Sequence, residues 1–329
     1  MEFQQLEMFA AVVEQGSVRR GAERVCRTAP AVSIALRKLE EEVGARLFTR
    51  SERTHQELTA SGQLLYSYAT RILNLKREVV SGLQDLTNCR TGSVRIGANE
   101  STGLYLLPKL THTFQETYPA LNLETMYGNS ESIIAALKDC QIDLALVAFT
   151  GDESTLRKHL IMRDEIVLIA NPGHRLAKLS QVAIKELANE VLIAESAKSS
   201  LHEEVAQAFQ ESGTQLNARV ANVTIEGIKR MVVEGVGVGF VPLMCVHEEE
   251  MRGELATIRV EGLSRQRELW LVHRDDASLS PAAEAFLKVG LRTAQGWAKA
   301  KASLNQQVSV RGKSANGYSK KFQPAGSYC

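Results

Sequence analysis

The sequence predicts a multidomain chain: an all-α N-terminal domain with a short wing, a linker helix, then an α/β domain of two lobes. Three observations carry this. Residues 17–43 read as two short amphipathic helices joined by a tight turn, the second with an arginine outside its apolar stripe. Residues 65–86 then repeat apolar side chains in alternating steps of 3 and 4. From Ser93 onward, short apolar strands alternate with helices. At 329 residues and 44% hydrophobic, the chain can bury two or three cores, so several domains are expected.

In the first domain, Leu6, Phe9 and Val13 fall at i, i+3 and i+7, the spacing of one buried stripe. Gly16 is placed to end that helix and Ser17 to cap the next through its hydroxyl. Val18, Ala22 and Val25 then face inward. Thr28 is a second cap, and Pro30 lies in the first turn, where a missing amide costs little. Val32, Leu36, Leu39 and Val43 mark the buried side of the third helix, with Ala29, Ser33 and Arg37 opposite and Gly44 as its stop. Leu47 and Phe48 plug the core, and the polar run up to Leu58 forms a wing with Arg50 and Arg53 near its base. This is the arrangement by which a winged helix-turn-helix lays one helix in the major groove of DNA. Residues 1–60 hold nine arginines or lysines and nine glutamates, a net of zero. DNA binding must therefore come from placement of charge rather than bulk attraction. Spacing alone fits equally a small helical bundle with a solvated charged face.

From about residue 3 to 295 the chain resembles the LysR-type transcriptional regulators. The stretches that carry the resemblance are Gly16-Ser17, Ala22, Ala29-Pro30-Ala31-Val32-Ser33, Leu39-Glu40, Gly44 to Arg50, and Leu58-Thr59-Ala60-Ser61-Gly62. It implies a DNA-binding surface of Ser17, Thr28, Ala29, Pro30, Ser33, Arg37, Arg50 and Arg53. The family often has glutamine where this chain has Ala29, and polar residues at the positions of Ile34 and Ala35. Fewer side chains here can make bidentate contacts to base edges, each worth ~1–3 kcal/mol of discrimination. Readout is expected to lean on Ser33, Arg37, contacts to thymine methyls and DNA shape.

Leu65, Tyr68, Ile72, Leu75, Val79, Gly82 and Leu86 form a heptad seam, which suggests helix pairing; Arg71, Lys76, Arg77 and Glu78 lie off it and are expected to stay wet. The alternative is a lone helix packed on its own domain. Pairing fits a two-fold regulator, which must hold two recognition helices at the spacing of two half-sites. The resemblance adds that such dimers commonly pair into tetramers. Its implied partners are a double-stranded operator with dyad symmetry, a small-molecule effector, a second copy of the chain and RNA polymerase.

Strand candidates in the remainder are 121–127, 144–149, 166–170, 191–194, 237–241 and 269–273. Helix candidates are 109–118, 130–137, 201–211 and 225–234. The alternation implies βαβ units, largely parallel sheets and two hinged lobes, as in periplasmic binding proteins. The resemblance divides the chain into a DNA-binding domain (1–60), a linker (61–90), lobe I (91–161 with 268–295), lobe II (162–267) and a tail (296–329). A ligand between such lobes meets strand ends and helix N-termini, where amides and the helix dipole favour anions. By position, the family's effector-binding residues map to Ser101, Thr102, Asn129, Ser196, Ser199 and Thr224. Each alone also fits an ordinary helix cap. Their hydroxyls and amides, with Lys198, suit a small carboxylate or an oxyanion; many relatives carry an arginine in a glycine-rich turn where this chain has Lys198 and no arginine nearby in sequence.

Other patterns point away from catalysis and cofactors. The glycines of Gly235 to Pro242 follow a helix and enter a strand, the reverse of a dinucleotide-binding turn. His247-Glu-Glu-Glu-Met251 begins like a zinc-protease helix but has Met251 at the second ligand position. Cys26, Cys89, Cys140, Cys245 and Cys329 are scattered without a CxxC pair, so reduced thiols are expected. Apolar runs too short for a bilayer and an N-terminus without a secretory pattern lead us to expect a cytoplasmic protein without membrane contact. The tail carries six lysines or arginines and no acidic residue, the composition of a disordered extension or of a basic arm adding weak DNA affinity. The expectation is a regulator that is not an enzyme and needs neither cofactor nor metal. Its rivals are a two-lobed enzyme or a small-molecule-binding protein with a vestigial helix-turn-helix.

Overall fold

Apolar spacing shapes the N-terminal domain. In the computed structural model, which describes residues 1–49, 57–87, 92–148, 154–263, 266–275 and 279–315, three helices close on one core. These are α1 (Phe3–Gln15), α2 (Val18–Arg24) and α3 (Ala29–Val43). Leu6, Phe9, Ala22, Val32, Leu36, Leu39 and Leu47 are buried together, and each large side chain contributes about 1.5–3 kcal/mol by leaving water. Gly16 (φ 64°) and Gly44 (φ 68°) end α1 and α3 in the left-handed conformation that a residue without Cβ adopts freely. Ser17 and Thr28 stand at the N-cap positions, yet neither hydroxyl accepts a bond from its helix, so the expected side-chain caps are not formed. Val43 is 39% exposed rather than buried. Residues 41–44 are all exposed, so the last turn of α3 runs beyond the core.

The base of the wing is an antiparallel bridge between Phe48 and Leu58, flanked by Thr49 N donating to the Glu57 carbonyl at 2.9 Å and Thr59 N to that of Leu47 at 3.0 Å. Arg50 and Arg53 lie outside the described residues.

Helix α4 (Ala60–Thr87) divides the anticipated seam between two environments. Leu65 and Ile72 pack against the N-terminal core, whereas Tyr68, Leu75 and Val79 are exposed. Gly82 offers the seam no side chain, and that of Leu86 lies outside the described set. Another face of α4 meets the following domain. Asn74, buried, donates from Nδ2 to the Asp139 carbonyl at 2.8 Å. Glu78, expected to be wet, accepts two bonds from Arg274 at 2.8 and 3.1 Å, because the helix lies against lobe I there.

Lobe I contains β1 (Gly92–Ala98), α5 (Glu100–Tyr105), α6 (Leu107–Thr117), β2 (Leu121–Tyr127), α7 (Ser130–Lys138) and β3 (Leu144–Ala148). β1 runs parallel to both β2 and β3. β4 (Leu156–Ala170) then leaves lobe I and enters lobe II. Lobe II continues as β5 (Gln181–Val182), β6 (Leu192–Ile193), α8 (Ser200–Glu211), β7 (Ala218–Val220), α9 (Ile225–Val233), β8 (Val238–Pro242), α10 (His247–Arg252) and β9 (Ala256–Val260). β10 (Gln266–Arg274) returns beside β4, and α11 (Pro281–Ala315) follows.

The strand order is β2-β1-β3-β10-β4-β8-β6-β7, with β9 on β4 and β5 on β9. The largely parallel arrangement expected from βαβ units holds for β1 with β2 and β3, for β6 with β7 and β8, and for β5 with β9. β10 is antiparallel to β3 and β4, and β4 is antiparallel to β8 and β9. Two strands that carry the chain out to a second lobe and back must run in opposite directions. The divisions inferred at 161/162 and 267/268 fall inside β4 and β10. Apolar layers cover both faces of each lobe's sheet, and Ala282, Phe286 and Val289 of α11 complete one of them. α11 continues through Gly296 to Ala315, past the change of composition at residue 296.

Candidate functional site

Two sites follow from this frame, a polar face on α3 and a cleft between the lobes. On α3, Ser33, Ile34 and Arg37 are exposed, opposite the buried Val32, Leu36 and Leu39. Arg37, with 81% of its side chain exposed, donates from Nε to Glu41 Oε1 at 3.0 Å. An exposed pair of this spacing is worth only ~0.3–0.5 kcal/mol, so the guanidinium is easily redirected to a phosphate or a guanine edge. Thr28 and Pro30 are exposed at the start of α3, and Ser17 is half-buried before α2. Ala29 does not project with Ser33 and Arg37: it is half-buried against the core.

The cleft encloses about 620 Å³, within the range of small-molecule sites. Of the six residues mapped to it, Ser101, Asn129, Ser196 and Ser199 line it, as does Lys198. Asn129 caps α7, its Oδ1 accepting from Ser132 N at 2.9 Å, and Ser199 caps α8, its Oγ accepting from His202 N at 3.0 Å. The cap and the cleft readings thus hold together for these two. Asn129 Nδ2 also reaches the Lys198 carbonyl of the opposite lobe at 3.4 Å. Thr102 and Thr224 are not brought to the cleft. Thr102 is fully buried, donating from Oγ1 to the Leu146 carbonyl at 2.6 Å, which fastens α5 to β3. Thr224 is exposed and caps α9 through Gly227 N at 3.1 Å.

Three charged residues of the cleft escape the position-based reading. Arg267, on β10, is 4% exposed and lines the cleft, and its Nε and Nη1 are buried without a hydrogen-bond partner. In the sequence it stands in the run Arg265-Gln-Arg267-Glu at the lobe junction, just ahead of the strand candidate 269–273 and far from the glycine-rich turns. Glu195 lines the cleft from lobe II, where burial pushes its carboxyl above the usual value, partly offset by a hydrogen bond with Ser199. Burial also raises Glu100, while bonds from the first amides of α9 act the other way; the Ile225 N to Glu100 Oε1 bond is 2.9 Å.

Beside the cleft a polar cluster ties the lobes together. Tyr105 of α5 bonds to Glu226 of α9, and Lys229 Nζ lies 2.6 Å from the Tyr105 hydroxyl and 2.8 Å from both Glu226 and Glu249. Lys229 is 3% exposed, and the carboxylates of Glu226 and Glu249 compensate its charge. Burial works to raise Glu249, but Lys229 outweighs it and holds that carboxyl below its usual value. Among the described residues, no group of three or more histidine, cysteine or acidic side chains is placed to hold a metal, and no helix is long and apolar enough to cross a membrane.

Two family profiles match the chain. One, described as bacterial regulatory helix-turn-helix protein, lysR family, covers residues 3–63, and one described as LysR substrate binding domain covers residues 88–295. A RuBisCO operon transcriptional regulator of Allochromatium vinosum is 31% identical over 286 residues, spanning 87% of this chain and 94% of that protein. The HTH-type transcriptional activator CmpR of Synechocystis sp. is 27% identical over 283 residues, spanning 86% and 92%. Among solved structures, full-length CbnR in complex with its target DNA superposes with a TM-score of 0.67 at 20% identity, covering 89% of this chain and 100% of that one. A full-length OxyR variant of Pseudomonas aeruginosa superposes at 0.66 and 18% identity, covering 90% and 95%.

Proposed function

The chain belongs to the LysR family of DNA-binding transcriptional regulators, and from that premise we propose how its two sites divide the work. It is a regulator and not an enzyme, as its relatives are. α3 enters the major groove of a dyad-symmetric operator, with Ser33 and Arg37 at base edges and Thr28, Pro30, Ser17 and the wing arginines Arg50 and Arg53 at the backbone. The exposed Tyr68, Leu75 and Val79 of α4 pair with a second copy, and such dimers associate further into tetramers. RNA polymerase is the downstream partner and the cytoplasm the site of action.

The cleft binds a small anionic effector through Ser101, Asn129, Ser196 and Ser199. Binding changes the operator complex only insofar as it favours one arrangement of lobes and dimers over another. The observation that carries this reading is the continuity of α4. One helix packs on the DNA-facing core through Leu65 and Ile72 and on lobe I through the Glu78–Arg274 and Asn74–Asp139 contacts. A displacement of lobe I is thereby passed to α3 through a rigid element. Selection of genomic fragments by the purified full-length protein, followed by footprinting, tests the proposal. Protection of a dyad-symmetric site that Arg37→Ala weakens supports it; absence of protection on every fragment at modest salt removes it.

A further inference from the structure

We propose that the effector is a zwitterion, with one carboxylate that docks on Arg267 and one ammonium group that docks on Glu195. This rests on the reading of the cleft as the effector site and narrows the ligand from anions in general. Arg267 carries the argument. It is almost wholly buried, it lines the cleft, and two of its guanidinium nitrogens have no acceptor in the protein. A buried cation in that state is costly unless something pairs with it, and a guanidinium suits a carboxylate well. Asp164 lies directly across from it in the β4–β10 ladder and opposes its charge, but the two are not hydrogen-bonded, and Asp164 Oδ2 is itself buried and unpartnered. Asp164 therefore offsets the charge of Arg267 without using its donors.

The rest of the lining decides what accompanies the carboxylate. The charged side chains around the cleft are Glu100, Glu195, Lys198 and Arg267, whose formal charges cancel. A phosphate or a dicarboxylate would bring two negative charges to a cleft that already holds two carboxylates. Glu100 commits an oxygen to the Ile225 amide at the start of α9. Glu195 lines the cleft and hydrogen-bonds with Ser199, and burial holds its carboxyl in an environment that favours neutralisation or a cation. An ammonium there satisfies Glu195 while Arg267 and Lys198 hold the carboxylate. A ligand of zero net charge with its charges separated matches this lining, and α-amino acids are the simplest members of the class.

The test is calorimetric titration of the full-length protein with the standard amino acids. Each is compared with the 2-oxo acid that lacks its ammonium and the amine that lacks its carboxylate, with inorganic phosphate as the anion control. At least one amino acid is expected to bind, with both counterparts weaker by about 10–100-fold. Arg267→Met abolishes that binding, and a melting temperature at or above wild type marks the variant as folded. Glu195→Gln keeps carboxylate binding but loses the preference for the amino acid over its 2-oxo acid, and it decides the matter if Arg267→Met does not fold. A 2-oxo acid or phosphate that binds as tightly as every amino acid overturns the proposal, and so does failure of all the amino acids. If such an anion binds and alters the operator footprint, the ligand class falls while the regulator reading stands. If no compound binds and no operator is protected, that reading falls too.

Discussion

The DNA-facing helix and the effector cleft are assembled by opposite routes. α3 draws its exposed polar face and its buried stripe from fifteen consecutive residues, so its chemistry is set by a helical period. The cleft convenes Ser101 and Asn129 from one lobe, Ser196 and Ser199 from the other, and Arg267 from the returning strand β10. Its electrostatics are set by which strands cross between lobes. The first kind of site separates folding from function, because one side of the helix folds and the other reads. In the second, residues that line the cleft also cap helices and join lobes, so stability and ligand response are expected to be coupled.

The sharpest way to break that contrast lies within α3. Leu39 is fully buried, and Leu39→Ala should destabilise the N-terminal domain by about 2–5 kcal/mol in a denaturant titration. Arg37→Ala should leave the unfolding curve nearly unmoved, since its pair with Glu41 is exposed, yet lower operator affinity by about 10–100-fold. Equal loss of stability in both variants would mean that α3 does not separate the two roles.

In the cleft region, Lys229→Met removes the cation between Glu226 and Glu249 and is expected to cost the effector domain about 3–5 kcal/mol, read as a lower melting temperature. Tyr105→Phe removes one hydroxyl of the same cluster and should cost less, about 1–2 kcal/mol. The pH dependence has a definite sign. Glu249 is held below its ordinary value when folded, so its contribution is present above the unfolded value and is lost as pH falls through the folded one. Lys229→Met should remove that acid-side loss.

Leu75→Lys should shift the protein from dimer toward monomer in sedimentation without unfolding it, because Leu75 is exposed on α4. An unchanged mass would place pairing elsewhere. The smallest effect is expected from Glu195→Gln. Burial raises the folded value of Glu195, so its stabilising contribution is present below its unfolded value and fades as pH rises through the folded value. The variant should therefore melt slightly higher than wild type at neutral pH, by ~1–2 °C, and the difference should shrink toward acid.

The same contrast governs what can be read from the residues alone. Local features are legible: the stops at Gly16 and Gly44, the Val32–Leu36–Leu39 stripe and Asn129 and Ser199 at helix starts. Where a local rule meets a tertiary neighbour, it fails. Glu78 looks solvated on a helical wheel, but Arg274 reaches it from the end of β10. Thr102 matches a family binding position, but its hydroxyl is taken by the Leu146 carbonyl of β3. Arg267 sits in a strand whose partner, β4, is recognisable in the sequence only over its final residues, so nothing there aims it at a cleft. The alternation along β10 marks a strand but not the neighbour it pairs with or the direction of pairing.

Operator binding is proposed to depend most directly on α3 as the element that grips DNA. Fluorescence anisotropy of the footprinted operator fragment, titrated with full-length wild type and with Arg37→Ala over a series of salt concentrations, measures this. Wild-type affinity is expected to fall steeply with salt, and the variant to be weaker by about 10–100-fold at every salt concentration with its fold intact. An Arg37→Ala protein that binds the operator as tightly as wild type would contradict that role of α3.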